Sequence, residues 1–227
     1  MKNYFNKFIL IIIFFYFFYH IQEKLIQNEA LKYEKEFRNY TIAVCTMGKL
    51  ENLYINEFID YYIKLGVNHI FIYDNNEPNT EKISDVVKNS YKNKVTIYET
   101  FKYNISHQSQ AFSYCYKSFK HIFDWFIMVD IDEYVYIIND TLINYLNDGI
   151  FNKCHFIKLH WLIPTDNNLL HYDPRPLLER FKGPYKTDRY IKSIIRGNIT
   201  DLTYWVHSPN YSPKYNVTCN SEGKKIN

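Results

Sequence analysis

The sequence predicts an α/β domain, a Rossmann-like, mostly parallel sheet flanked by helices, preceded by an amino-terminal membrane anchor. Three observations carry this. Short apolar runs alternate with segments of helical period between residues 41 and 129, and such alternation with brief connections builds parallel, right-handed sheets. The run Trp125-Phe126-Ile127-Met128-Val129 is too short for an independent helix and reads as a fully buried strand, and Asp130, Asp132 and Glu133 follow it at once. Ahead of both stands a stretch of twelve residues, 8–19, without charge or amide.

That stretch is short for a span, which needs about 20 apolar residues, although fewer serve in a thin bilayer. A cleaved signal needs small residues behind its apolar core, and Tyr19, His20, Ile21 and Gln22 stand there instead. The reading is an uncleaved signal anchor over 8–21. Lys2 and Lys7 precede it, so the positive-inside rule keeps a tail, 1–7, in the cytosol and sends a charged stem, 22–40, and the body, 41–227, across the membrane. A single-pass type II protein with its body in the Golgi or ER lumen is expected. Six Asn-x-Ser/Thr acceptors, at Asn39, Asn104, Asn139, Asn198, Asn210 and Asn216, agree with that compartment. Cys45, Cys115, Cys154 and Cys219 can form up to two disulfides there, with three full pairings open, and their spacing matches no zinc pattern. Cys45 and Cys115 fall in a core strand and on a buried helix face, where plain packing also explains them. At 227 residues the chain is long enough for one domain with a large core, and a net charge of +3 with interspersed Lys and Glu marks no nucleic-acid surface.

Residues 41–46 read as the first strand, broken by Met47-Gly48-Lys49. Residues 51–65 have helical period, and Gly66 supplies the stop. Residues 69–73 form a second strand, ended by Asp74-Asn75-Asn76-Glu77-Pro78. A helix over 81–91, a strand over 95–99, a helix over 108–123 and the strand 126–129 complete a βαβαβαβ order, which puts Gly48, Asp74 and Asp130 at the rim where such sheets bind ligands. No Gly-x-Gly-x-x-Gly and no P-loop pattern occurs. Beyond the acids come a short helix, 142–146, a strand, 156–162, a loop, 164–168, and a basic run of Arg175, Arg180, Lys182, Lys186, Arg189, Lys192 and Arg196. His207 follows a short strand-like segment, 204–206.

Asp130 and Asp132, two apart in extended backbone, leave the same face. Like charges so placed are costly unless a cation neutralises them, and oxygen ligands suit Mg²⁺ or Mn²⁺ better than Zn²⁺. A solvated acidic turn is the plain alternative. A basic run facing such a site is what a diphosphate leaving group requires, the alternative being a solvated face.

Together these blocks resemble the GT-A glycosyltransferases of the family 92 and family 2-like type. The resemblance lies in Glu51-Asn52-Leu53-Tyr54 with Glu57-Phe58-Ile59-Asp60-Tyr61-Tyr62, in Ile72-Tyr73-Asp74-Asn75, in Gln108 with Ala111-Phe112 and Cys115, and in the acidic block. It continues in order through Trp161, Asp166-Asn167, the run from Arg175 to Phe181, Lys192-Ser193-Ile194-Ile195-Arg196 and His207. It implies a GT-A fold that transfers a hexose from a nucleotide sugar, with UDP as nucleotide, to a glycan or glycoconjugate acceptor. Thr46, Gly48, Lys49, Asp74 and Gln108 would then serve the donor side. Asp130 would lie near the ribose or the metal, Asp132 would ligate Mn²⁺ or Mg²⁺, His207 would complete the coordination, and Lys192 and Arg180 would balance phosphate charge. Such families mostly invert by single displacement, which needs a general base; Asp166 is the first candidate and Glu179 the second, while Glu133 would order the metal loop. One departure is Lys49-Leu50-Glu51, where the family has Lys-Asn-Glu. The rival readings are a metal-dependent phosphohydrolase and an anchored, non-catalytic glycan- or nucleotide-binding scaffold with a decayed transferase fold.

Overall fold

A computed structural model describes Lys24 and residues 41–99, 107–138, 140–147, 149–165, 168–169, 171, 173–205, 207–210 and 214–226. The tail, the expected anchor and, Lys24 apart, the stem lie outside the described residues; within them no helix is long and apolar enough to cross a membrane. Three of the six glycosylation acceptors, Asn198, Asn210 and Asn216, are described, and all three are exposed.

The predicted alternation is present. Strand β1 (Ile42–Gly48) runs parallel to β2 (His69–Asp74) on one side and β4 (Trp125–Met128) on the other, and β2 runs parallel to β3 (Val95–Tyr98). Period-two alternation divides these strands between two helical layers. Ile42, Val44, Ile70, Ile72, Trp125 and Ile127 share one core with Ile55, Phe58, Ile59 and Tyr62 of helix α1 (Ile55–Lys64). On the opposite face Phe71 stacks on Phe119, and Tyr116 meets Phe126 edge-on, both from helix α3 (His107–Phe119). Gly66 ends the α1 turn at φ +97°, a backbone conformation that costs glycine little.

Two regions depart from the sequence reading. The helix expected over 81–91 is only a turn of helix, α2 (Ile83–Val86), and a 3₁₀ turn, Asn89–Tyr91, with Val87 and Lys88 extended between them. Asn56 of α1 explains the break: its Nδ2 donates to the Val86 carbonyl at 2.8 Å and its Oδ1 accepts from Lys88 N at 3.1 Å, so the side chain replaces the continuing helical bonds. The larger departure lies beyond the acidic loop. After α4 (Leu142–Asn147) and a 3₁₀ turn, Gly149–Phe151, strand β5 (Phe156–Pro164) is joined through the short helix α5 (Leu177–Arg180) to β6 (Tyr185–Arg196), the longest strand. The sequence shows a basic run there and no strand period. Strand β6 inserts antiparallel between β4 and β5, so the sheet is mixed at that point rather than wholly parallel. β7 (Thr203–Tyr204) and β8 (Pro209–Asn210) form a small separate pair, and β9 (Thr218–Cys219) with β10 (Lys225–Ile226) closes the main sheet in the order β10-β9-β5-β6-β4-β1-β2-β3.

The cysteines pair as Cys45–Cys115 and Cys154–Cys219. The first bond fixes β1 to α3, replacing the plain packing that also suited those positions, and the second fixes the start of β5 to β9.

Candidate functional site

The acidic loop leaves the carboxyl end of β4 and is held from below by α1. Tyr62 Oη donates to the Glu133 carbonyl at 3.0 Å and accepts from Val135 N at 3.2 Å, while Tyr61 Oη donates to the Val135 carbonyl at 2.8 Å. Phe58 and Tyr61 pack edge-on against Tyr134. Ile131 is fully buried, and Gly48 makes room for it: a Cβ on Gly48 would collide with Ile131 Cδ1. The glycine at the end of β1 is therefore a packing requirement of the loop.

Asp130 is clamped from two sides. Gln108 Nε2, from the first turn of α3, donates to Oδ1, and Lys192 Nζ, from β6, donates to Oδ2 at 2.9 Å. Lys192 also reaches Glu133 Oε2 at 3.2 Å, and that oxygen accepts from Asp130 N at 2.9 Å. Lys192 is 4% exposed. Around this ammonium stand more acids than it can neutralise. Burial and then the Asp130 charge push the Glu133 carboxyl up to about 7, with Lys192 opposing. Burial and then the Asp132 charge push Glu51 up to about 7. Asp132, which is exposed at the rim, is raised too, by partial desolvation and then by Asp130.

Among the described residues no three His, Cys, Asp or Glu side chains are arranged to hold a metal ion. The chemistry of the groups nevertheless fits a divalent cation. The acid cluster carries surplus negative charge, Asp132 is open, and His207 Nδ1 is buried without a hydrogen-bond partner among the described residues. The charges of both Asp130 and Lys192 act on His207, whose imidazole burial holds below its ordinary range.

Other expected site residues take different places. Asp74 is 1% exposed, and its carboxylate accepts from Asn76 N at 2.8 Å and Ile83 N at 2.7 Å, so it organises the loop after β2 instead of standing open to a nucleoside. Thr46 is fully buried in β1, with no partner for its hydroxyl among the described residues. Lys49 is exposed and turned to Glu77 at 2.8 Å. Of the basic run, Lys192 alone makes a described ion pair with the acids. Arg180 is buried, its guanidinium 5.7 Å from the Tyr54 ring centre. Arg175 pairs with Asp173, and Arg196 lies 4.1 Å over Trp125 while donating to the Cys154 and Phe151 carbonyls. Lys182, Lys186 and Arg189 are exposed. Glu179 is exposed on α5, whose Leu177 N donates to Glu57 Oε1 at 2.6 Å. Asp166 lies outside the described residues. The sequence reading missed Glu51 as a member of the acid cluster and Tyr61 and Tyr62 as its supports; the spacing of those tyrosines on α1 signalled only a buried face.

A sheet covered by helices on both faces, with clamped and open carboxylates at the ends of its parallel strands, defines an α/β protein with an acidic rim. Residues 38–223 match the family model described as Glycosyltransferase family 92, and the chain belongs to that family. It is 24% identical over 169 residues to a glycosyltransferase family 92 protein of Ricinus communis, covering 69% of this chain and 30% of that one. It is 26% identical over 121 residues to one of Oryza sativa subsp. japonica, covering 50% and 20%. The chain thus spans less than a third of the length of these relatives. A solved structure, the apo form of the bifunctional glycosyltransferase WbbM, aligns with TM-score 0.36 and 11% identity over 54% of this chain and 23% of that one, too loosely to carry an argument.

Proposed function

We propose that the body transfers a hexose from a nucleotide sugar, with UDP as the nucleotide, to a glycan acceptor, with inversion and with Mn²⁺ or Mg²⁺ as cofactor. Family membership supports the reaction class, and one observation supports the site: Asp130 is fixed by Lys192 and Gln108 beside an open Asp132 and an unpartnered His207 nitrogen. Asp132 and His207 would hold the cation, with Asp130, whose oxygens already serve Gln108 and Lys192, as the third acceptor. A divalent ion there supplies charge neutralisation to a departing diphosphate. The chain's own part is preorganised electrostatics. Lys192 holds the acidic loop at one geometry and offers a buried positive charge beside it, Arg180 adds a second cation near Tyr54, and Glu133 locks the loop backbone. For removal of the acceptor proton the candidates are Asp166 and then Glu179.

We place this body in the ER or Golgi lumen behind a type II anchor. Two disulfides that use all four cysteines and three exposed glycosylation acceptors support an oxidising, lumenal setting.

The test is incubation with Mn²⁺ and a panel of UDP-sugars. Slow UDP release is expected, and Asp132→Asn is expected to abolish Mn²⁺-dependent UDP binding in a folded protein. Unchanged UDP binding in that variant overturns the metal assignment. Phosphate release from phosphomonoesters would favour a hydrolase, and no nucleotide binding at all would leave a scaffold.

A further inference from the structure

Strands β5 and β6 continue past the sheet as an arm whose outer residues are exposed: Leu162, Ile163, Tyr185 and Tyr190 are 53%, 42%, 54% and 41% accessible. The pairing is irregular at one place. His160 pairs with Ile191 and Leu162 with Thr187, so three residues of β6, Asp188, Arg189 and Tyr190, face the single Trp161 of β5. Asp188 Oδ1 accepts from Tyr190 N at 3.1 Å, closing the bulge with a local turn. Bulges of this kind re-aim side chains next to active sites. Here the outcome is a cluster of rings, with Trp161 and Tyr190 centred 5.3 Å apart, Tyr190 and His207 5.3 Å apart, and Trp161 and His207 5.7 Å apart.

We infer that Trp161, Tyr190 and His207 form the stacking subsite for a hexopyranose unit of the accepting glycan. This rests on the transferase reading above and names the acceptor side of that site. Three features carry it. Ser193, the neighbour of Lys192 on β6, donates to the His207 carbonyl at 3.5 Å, so the rings adjoin the strand that carries the acid rim's ammonium. The cluster keeps Trp161 Nε1 buried without a hydrogen-bond partner among the described residues, a cost that folds tolerate at binding sites more than in plain cores. Its surroundings are polar: the Arg189 guanidinium lies 5.4 Å from the Tyr190 ring centre, with Asp188 beside it. A hexopyranoside matches that mixture, because its axial C–H bonds give an apolar face for an aromatic ring while its equatorial hydroxyls point outward to charged groups. A lipid surface or a second protein would leave those charges desolvated.

The full chain, held in amine-oxide micelles because glycosidic detergents compete, is probed by saturation-transfer NMR with lactose, cellobiose and N,N′-diacetylchitobiose. Saturation of pyranose C–H protons is expected from at least one of them, falling at least fivefold in Tyr190→Ala and staying within twofold in Tyr190→Phe, which keeps the ring and serves as the folded control. Absence of saturation with all three disaccharides, or equal saturation in Tyr190→Ala, overturns the subsite. Mn²⁺-dependent UDP binding by calorimetry on the unsubstituted chain separates the two readings. Tyr190-dependent saturation without UDP binding sinks the transferase and leaves a glycan site, whereas UDP binding without saturation sinks the subsite alone.

Discussion

Lys192 Nζ lies 2.9 Å from Asp130 Oδ2, joining the acidic loop to the antiparallel strand at its side. The ammonium is almost wholly buried while the Asp130 side chain is 28% exposed, and Glu133 shares the same ammonium at 3.2 Å. Removing it leaves two carboxylates facing each other without compensation. Lys192→Met should lose about 3 kcal/mol of stability and lose UDP binding. Adding Asp130→Asn should restore most of the stability and none of the binding. Urea midpoints and calorimetry on the single and double variants check this.

Gly48 and Ile131 touch where a methyl group has no room. Gly48→Ala should cost about 1–3 kcal/mol, because the added Cβ would collide with Cδ1 of the fully buried Ile131. Ile131→Ala in the same chain should recover part of that loss. A double-mutant cycle in thermal melts shows the coupling; additive effects would mean the contact does not matter.

Leu50 occupies φ +63° and is 77% exposed. A leucine there bears a steric penalty that asparagine avoids more readily, and asparagine is the residue that the family resemblance leads one to expect at that position. Leu50→Asn should stabilise the fold by about 0.5–1 kcal/mol, seen as a higher urea midpoint with an unchanged slope.

His69 sets a pH dependence. Burial, and then the Lys94 charge, hold its imidazole down to about 3, and Nε2 lies 2.9 Å from Thr96 Oγ1. In the unfolded chain the ring gains a proton near pH 6.5, so the unfolded state binds more protons as pH falls. Stability is full above about 6.5 and is lost progressively towards pH 3. At pH 5 this one group should cost about 2 kcal/mol. Between about pH 7.5 and 5 the native sequence should lose about 2 kcal/mol more stability than His69→Gln. The difference between the two profiles isolates this group from Glu51 and Glu133, whose raised carboxyls add stability as pH falls through the same range.

The two disulfides close sequence separations of 70 and 65 residues. In the chain-entropy account each restricts the unfolded state by about 4 kcal/mol. Reduction should therefore lower the melting temperature sharply, and Cys154→Ala with Cys219→Ala should reproduce part of that drop while β1 remains bonded to α3.

The parallel half of the sheet was legible because β1, β2 and β4 are largely apolar runs with both faces covered, buried throughout their lengths, and only the edge strand β3 is half-buried. Strand β6 was not, because its outer half, residues 185–190, is mostly exposed and shows only polar, charged and aromatic side chains. The same reason hid the ring cluster, since Trp161 and Tyr190 meet through a bulge that no period announces. Asp74 misled in the opposite direction. Its place after a buried strand marks a ligand rim, yet both oxygens are used by backbone amides nine residues apart or less.

By itself, then, the sequence determined the alternating α/β order, the acid pair at the end of β4 and the family, because those depend on local period and on residues adjacent in the chain. Tertiary structure alone decided which of seven basic residues neutralises the acids, which cysteines bond and which aromatic rings assemble beside His207. The first and last come from an antiparallel strand that enters the sheet more than fifty residues after the acidic loop, the second from cysteines 70 and 65 residues apart, and neighbours brought together across such distances leave no spacing in the chain to be read.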